Sequence, residues 1–310
     1  MNFWNLPPAQ WLLRQAKTYT FVGFSGISIY DIIRTFRSEV KQDMLLMRAG
    51  ALTFNFMMSL FPGIIFLFTL LPYLPIKNLD DQILAFLLLP KNATGFVNAT
   101  IHDLVRIKRD GLLSTGFLIA VFFASNSIMS LQRAFDKSEN NKNFTKRPPL
   151  QRRILAIILV FVLFIMFALA LTFIVGGAIL VKYMSTMDYI SSLSYYMIIF
   201  VRWFAIIVLF YSVISIVFRY VPSIERRFPF FSGGALVATL GTLLTSIGFS
   251  YFVNNFGSYN KVYGAVGTFI VLMLWFNFNA QVLLVGFEVN VAIQNILNRR
   301  RSAEVEEYVS

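Results

Sequence analysis

The sequence predicts an all-α polytopic membrane protein with six transmembrane helices, an N-terminal amphipathic helix and short extracytoplasmic helices after the first span. Hydrophobic residues occupy 57% of the 310 positions, charged residues only 14%, and mean hydropathy is +0.67, which is outside the range of soluble domains. Apolar stretches long enough to cross about 30 Å of hydrocarbon recur six times. Basic residues cluster in alternate connections between these stretches, as they do in membrane proteins.

Charged or turn-forming connections separate the six predicted spans. These spans cover residues 51–71, 112–131, 154–181, 197–218, 230–252 and 262–287, within a transmembrane domain at 48–294. Residues 1–47 are predicted to form a cytoplasmic or interfacial amphipathic segment, and 295–310 a charged cytoplasmic tail. Ser28 and Asp31 have capping-box spacing, which predicts a helix start. That helix lies either on the membrane surface or packed on the bundle.

The distribution of basic residues predicts the orientation of the chain. Connections on one side of the spans carry 19 of the 27 Lys and Arg residues, and those on the other side carry seven. The positive-inside rule then places both termini in the cytoplasm. The same distribution accounts for most of the net charge of +12, so membrane lipids, and not nucleic acid, are the expected partners.

The last span carries the best candidate for a functional surface. At 100° per residue, Tyr263, Asn277, Gln281 and Glu288 fall within roughly 40° of one another on a helix. Trp275 lies in the middle of the span, where a cavity wall or a helix contact suits it better than an interfacial belt. Hydrocarbon tolerates such groups only when they face protein or water. One face of this helix is therefore expected to be turned inward.

Further candidates lie at the ends of the spans. Residues 254–261 form a predicted polar turn, which is either an outer gate or a plain connection. Arg48 and Arg133 lie at the predicted cytoplasmic boundary, where either can pair with Glu288. The candidate substrate-binding residues are Arg48, Asn126, Arg133, Tyr259, Asn260, Lys261, Tyr263, Trp275, Asn277, Gln281 and Glu288.

Spans four and five carry two further features. In span five, small residues recur at steps of four and three, from Gly234 through Ala238 and Gly241 to Gly248. Such a stripe predicts a close helix contact. In span four, Arg202 either extends to the interface or reaches into a cavity.

The residue inventory argues against a phosphodiesterase. Hydrolysis of phosphodiesters normally needs a metal held by clustered His and carboxylates, or a general acid and base near neutrality. The chain has one histidine, His102, and no cysteine. It lacks a Walker loop, a GxGxxG turn and a GxSxG elbow. No catalytic residue, metal site or cofactor is therefore expected, and the chain is not expected to be an enzyme.

Several sequence blocks resemble the YihY/BrkB family of bacterial inner-membrane proteins. The match spans roughly residues 30–295, and the block around the last span is the most specific. At Asn55, where many members carry an aromatic residue, the chain departs from the pattern. The blocks are Arg48-Ala-Gly-Ala-Leu-Thr-Phe, Ser59-Leu-Phe-Pro62, Ala124-Ser-Asn-Ser127, Arg133-Ala-Phe, Asn255-Phe-Gly-Ser-Tyr-Asn-Lys-Val-Tyr-Gly264, Trp275 and Gly286-Phe-Glu-Val-Asn290.

The resemblance implies six helices with cytoplasmic termini in the inner membrane, and a role in envelope integrity, serum resistance, or lipid or solute export. Members have also carried a ribonuclease BN label that is regarded as a misassignment. Two function classes follow. One is a transporter or flippase-like exporter of a lipid, an anionic or amphiphilic envelope component, or a small solute. The other is a membrane scaffold in which interior amides join helices. Six spans are few for a self-contained transporter, which leaves room for a homo-oligomer.

Overall fold

The computed structural model describes residues 23–24, 26–40, 45–73, 110–136, 145, 147–185, 192–255 and 257–309. These residues form seven α-helices and no strand, and a short 3₁₀ turn at Leu71–Tyr73 follows the second helix. The helices are α1 (Ile29–Val40), α2 (Leu45–Leu70), α3 (Asp110–Phe135), α4 (Pro149–Ser185), α5 (Ser192–Tyr220), α6 (Gly233–Asn255) and α7 (Gly257–Val309).

Helices α2 to α7 are each long and apolar enough to cross a membrane. This confirms the predicted all-α class and its six spans. The short extracytoplasmic helices predicted after the first span fall between residues 74 and 109, outside the described residues, as does His102.

The six spanning helices form a ring. Each packs on its neighbours in sequence, and α7 returns to pack against α2, with a minor contact on α3. Such an order is expected because consecutive elements usually lie next to each other. We call the end where α3 and α5 terminate, and where α2, α4 and α6 begin, the basic end of the ring. Arg147, Arg152, Arg219, Arg226 and Arg227 all lie there.

The main hydrophobic core formed by the described residues lies at the basic end. Its buried residues come from the start of α2 and α4, the last turns of α3 and α5, the start of α6 and the middle of α7. Among the described residues, none of α4 beyond Leu159, of α5 before Ile214 or of α6 beyond Thr239 is fully buried. In the described residues of these three helices, full burial is therefore limited to the basic end, and we call the opposite half of the ring the open half.

A glycine seam joins α6 to α7, as the small-residue stripe predicted. A Cβ atom on Gly234 would lie 2.1 Å from the carbonyl oxygen of Gly286. A Cβ atom on Gly286 would lie 2.6 Å from both the Cβ of Ala238 and the carbonyl oxygen of Gly234. At Gly241, the added atom would lie 2.6 Å from a methyl of Val282. At Gly234 and Gly286 the two backbones approach so closely that only glycine fits. Gly248, at the far end of the stripe, has no such neighbour.

Helix α1 begins where the capping box predicted. The Ser28 hydroxyl donates to the Asp31 carboxylate at 2.8 Å and accepts from the Asp31 amide at 3.1 Å. Ile32 is buried against Val289 and Ile293 of α7. Of the two predicted locations for this helix, the structure supports packing on the bundle.

Helix α7 is longer at both ends than the predicted span. It begins at Gly257, only two residues after α6 ends at Asn255. Residues 258–261, which the sequence assigned to a turn, are helical because turn propensity is a weak local preference that tertiary structure overrides. The helix continues to Val309, since residues 295–309 contain neither Gly nor Pro. At about 1.5 Å per residue it is roughly 80 Å long, so its last part lies beyond a bilayer core of about 30 Å.

Candidate functional site

A buried ion pair ties the first spanning helix to the last. Nη2 of Arg48 in α2 lies 2.9 Å from Oε1 of Glu288 in α7, and Glu288 is fully buried. Nη1 of Arg48 donates to the carbonyl oxygen of Ala134 at the end of α3, at 2.7 Å. Arg48 is therefore the partner of Glu288, whereas Arg133, the other predicted candidate, is exposed. Three helices meet at this one guanidinium group.

Amide side chains continue the polar face of α7 toward the open half. Nδ2 of Asn277 donates to the buried hydroxyl of Thr53 in α2 at 3.2 Å, and Nε2 of Gln281 donates to Oδ1 of Asn277 at 2.6 Å. Asn277 and Gln281 are half-buried. The polar face of α7 is therefore directed at α2. Asn277, Gln281 and Glu288 share this face, as their helical spacing predicted.

A second polar contact links α2 to α3. Nδ2 of Asn55 donates to the hydroxyl of Ser130 at 3.2 Å, and the hydroxyl of Ser127 donates to the carbonyl oxygen of Asn55 at 2.8 Å. Ser127 and Ser130 are buried. Helix α2 thus hydrogen-bonds to both of its neighbours, α7 through Thr53 and α3 through Asn55, within about two turns of Arg48.

Four phenylalanine side chains fill the centre of the helix ring beside the Arg48–Glu288 ion pair. Phe287 stacks on Phe135 with ring centroids 4.1 Å apart, and it meets Phe218 and Phe228 edge-on at 6.1 Å and 5.8 Å. All four rings are buried. Because they come from α3, α5, the α5–α6 connection and α7, this phenylalanine cluster closes the basic end.

Asn126 is engaged by a neighbouring arginine. Its Oδ1 accepts a short hydrogen bond from Nη1 of Arg153 in α4. The same guanidinium group lies 4.6 Å from the ring centroid of Phe122. A cation therefore lies against the polar side of α3 at the boundary between the core and the open half.

The remaining predicted residues belong to the first half of α7. Tyr259, Asn260, Lys261 and Tyr263 are helical, and their side chains lie outside the described part of the chain. Trp275 is half-buried and packs edge-on against Phe276 at 5.1 Å. The predicted site residues are thus brought together at Arg48, Asn277, Gln281 and Glu288, with Asn126 one helix away.

Asn290 was missed by the sequence analysis. Its Oδ1 accepts from the Gly234 amide at 2.8 Å, and its Nδ2 donates to the Ser232 hydroxyl at 3.0 Å. Ser232 also accepts from the Ala235 amide at 3.3 Å, so the two side chains cap the start of α6. The signal was present in the sequence, because Asn290 lies one turn after Gly286 in the most specific family block.

A second missed cluster joins α3, α4 and α5 at the basic end. The Asp136 carboxylate accepts from the amide and hydroxyl of Ser223 and pairs with Arg152 at 3.0 Å. Arg147 donates to the carbonyl oxygens of Tyr220, Val221 and Pro222 at 2.9–3.2 Å, where α5 terminates. Burial lowers the pKa of Arg147, and Asp136 opposes that shift.

Arg202 donates to the carbonyl oxygen of Ile174 in α4 at 2.8 Å, and its side chain lies over Gly177. A Cβ atom on Gly177 would lie 2.7 Å from Cδ of Arg202. Glycine at that position therefore makes room for the arginine. In the described part of the chain, no three His, Cys, Asp or Glu residues are grouped as metal ligands.

These features define a polytopic α-helical membrane protein whose first and last spans are joined by a buried ion pair. A family profile described as virulence factor BrkB matches residues 36–308. The chain therefore belongs to the BrkB family, as the sequence blocks indicated.

Curated relatives are also similar along most of their length. A putative ribonuclease-like protein YfkH of Bacillus subtilis (strain 168) is 30% identical, over 79% of this chain and 89% of the relative. A UPF0761 membrane protein of Alteromonas mediterranea is 24% identical, over 92% of this chain and 95% of the relative. A UPF0761 membrane protein of Haemophilus influenzae (strain 86-028NP) is 22% identical, over 87% of this chain and 97% of the relative. No solved structure matches the chain.

Proposed function

We propose that the protein is a flippase-like exporter of a lipid or another anionic, amphiphilic envelope component, inserted in the bacterial inner membrane with both termini in the cytoplasm. The observation that carries the proposal is the open half of the ring. Each helix of a ring has one face directed at the centre, and a filled centre would bury residues of that face. In the described residues of α4, α5 and α6 that burial ends at Leu159, Ile214 and Thr239.

The chemistry at the base of the open half supports an amphiphilic substrate. Asn277 and Gln281 are half-buried there, and Arg153 supplies a cation beside Asn126. Uncharged hydrogen-bonding groups with a cation suit a lipid headgroup, whereas a proton relay needs acidic groups in mid-membrane. Glu288, the acidic residue on the same face of α7, is already paired with Arg48.

The closed basic end gives the exporter a direction of access. The phenylalanine cluster and the Arg48–Glu288 pair seal the end that carries most of the basic residues, and the positive-inside rule assigns that end to the cytoplasm. The open half then faces outward. Export requires a second state in which the seal opens, so Phe287 and Glu288 are the expected gate residues.

A ribonuclease activity is not part of the proposal, although one relative carries a ribonuclease-like name. The chain has one histidine and no cysteine. Two carboxylates at the basic end, Asp136 and Glu288, are each held by an arginine. Both carboxylates are therefore engaged in contacts that join helices to each other.

The proposal is tested by lipid exchange in vesicles. Purified protein reconstituted into liposomes should accelerate transfer of a fluorescent phospholipid between leaflets, measured by dithionite quenching of the outer leaflet. Gln281→Leu should slow the transfer, because it removes a hydrogen-bonding group at the base of the open half. Thr172→Val is the control, since Thr172 is exposed on α4 and its hydroxyl donates to Ala168 of the same helix.

A membrane scaffold is the second candidate, because the Asn277–Thr53 and Asn55–Ser130 bonds also join helices to each other. A scaffold predicts exchange at the rate of empty liposomes for the wild-type protein across several labelled lipids. It also predicts that Gln281→Leu lowers thermal stability and changes nothing else. Accelerated exchange by the wild-type protein, slowed in Gln281→Leu at unchanged stability, contradicts the scaffold.

A further inference from the structure

A groove lies at the basic end, between the α5–α6 connection and the part of α7 that extends past the ring. Two cavities form it, one of about 180 Å³ and one of about 250 Å³. Both are lined by Arg226, Gln294, Asn298 and Arg301. We call these two cavities together the arginine groove. Each exceeds the space of a single water molecule by about tenfold or more.

The charge on the lining is positive. Arg226, Arg227 and Arg301 border the arginine groove, and Glu225 is the one acidic residue among the described residues that line it. Within the described ranges, no carboxylate lies at salt-bridge distance from Arg226 or Arg301. By contrast, Arg48 and Arg152 are paired within 3.0 Å. The guanidinium groups of Arg226 and Arg301 are thus available to an external anion.

Amide side chains of α7 form the wall of the groove that faces the α5–α6 connection. Asn290, Gln294 and Asn298 recur at every fourth residue and therefore lie along one side of the helix. Nε2 of Gln294 donates to the carbonyl oxygen of Arg226 at 3.0 Å. This bond holds the backbone at Arg226 against α7, the helix that carries Arg301.

The start of α6 contributes shape to the groove and not its charge. The Gly233 amide donates to the carbonyl oxygen of Gly23 at 2.9 Å, and Asn290 and Ser232 occupy the next two amides. Gly23 has φ of +93°, a conformation that favours glycine. A ligand must therefore be held by side chains, since the helix amides are already bonded.

We propose that the arginine groove binds a phosphate group. Guanidinium groups bind phosphate through paired N–H donors, and Arg226 and Arg301 line both cavities of the groove. The groove begins beside the first residues of α6, where that helix enters its membrane span. The phosphate comes either from a lipid headgroup in the adjacent leaflet or from a free phosphate compound in solution. Binding at equilibrium does not depend on the proposed export activity.

The test is titration of the full-length protein in detergent with two probes. Sodium diphosphate, followed by calorimetry, reports a free phosphate compound, and short-chain phosphatidic acid, followed by native mass spectrometry, reports a lipid headgroup. Binding of either probe, weakened at least tenfold by the double substitution Arg226→Gln and Arg301→Gln, is the expected result. Binding of the lipid alone identifies the headgroup as the source.

The matched control is the double substitution Arg299→Gln and Arg300→Gln, which removes the same charge from α7 at exposed positions outside the groove. It should bind both probes within twofold of the wild type. Equal weakening by the two double variants would mean general charge attraction and would overturn the proposal, as would no binding of either probe. Thermal midpoints without ligand verify folding. If the groove variant unfolds, Arg301→Gln alone replaces it, because Arg301 is exposed, and its expected weakening is at least threefold.

Discussion

Removing the charge of Glu288 should destabilise the protein more than removing the charge of an exposed carboxylate does. Glu288 is fully buried and lies 2.9 Å from Arg48. Breaking a buried pair by removing one partner costs about 3–5 kcal/mol, because the other charge is left uncompensated. Since Arg48 retains 18% side-chain exposure and a bond to Ala134, water and that carbonyl offset part of the loss. We expect Glu288→Gln to cost about 3 kcal/mol.

The double-mutant cycle isolates the pair. Arg48→Met leaves Glu288 without its cation and also removes the bond to Ala134, which is worth about 1 kcal/mol. The double variant carries no buried charge at this position. Its loss should therefore be smaller than the sum of the two single losses by about 2 kcal/mol or more, a coupling within the range found for residues in direct contact.

The measurement is the free energy of unfolding in mixed micelles titrated with dodecyl sulfate. Glu304→Gln is the matched control, because Glu304 is exposed on the last part of α7, and its change should stay within about 0.5 kcal/mol. Losses from Arg48→Met and Glu288→Gln that add without coupling would refute the reasoning that one ion pair joins α2 to α7.

Two further predictions concern α6 and are measured by the same titration. Gly234→Ala should cost about 2–3 kcal/mol or prevent folding, because its Cβ would lie 2.1 Å from the Gly286 carbonyl oxygen. Gly248→Ala, with no atom within 4 Å, should be neutral or stabilising, and equal losses at both positions would contradict the seam. Asn290→Ala should cost about 1–2 kcal/mol by uncapping α6 and speed amide exchange at Gly234. Asn290→Asp, which keeps the acceptor, should lose less.

The sequence predicted the spans well because each depends on local composition. A stretch of about 20 apolar residues must cross the membrane whatever its neighbours are, and the capping pair Ser28 and Asp31 acts within four residues. The ends of α7 were predicted less well. Whether Ser258 or Asn260 is helical depends on packing against neighbouring helices, and a turn-forming composition does not contain that information.

Helical spacing predicted which residues of the candidate site share one face of α7, but not which residues they contact. The 3.6-residue period placed Asn277, Gln281 and Glu288 on one face, and the structure directs that face to α2. Periodicity did not determine that Arg48, and not Arg133, pairs with Glu288, because both lie at the same predicted depth. The Asp136–Ser223 contact joins residues 87 positions apart, and such a pairing has no local signal.

The most specific sequence block, Gly286 to Asn290, can be explained residue by residue from the contacts of α7. Gly286 permits the approach of α6, Phe287 fills the centre of the basic end, and Glu288 turns to α2. Val289 packs on α1, and Asn290 caps α6. Gly286 and Asn290 lie one turn apart and both meet α6, whereas the three residues between them meet other elements. Such a segment must be surrounded by protein on all sides, which is the condition for a closed basic end. A state that opens that end has to break the phenylalanine contacts and the ion pair together, because Phe287 and Glu288 are adjacent on one rigid helix.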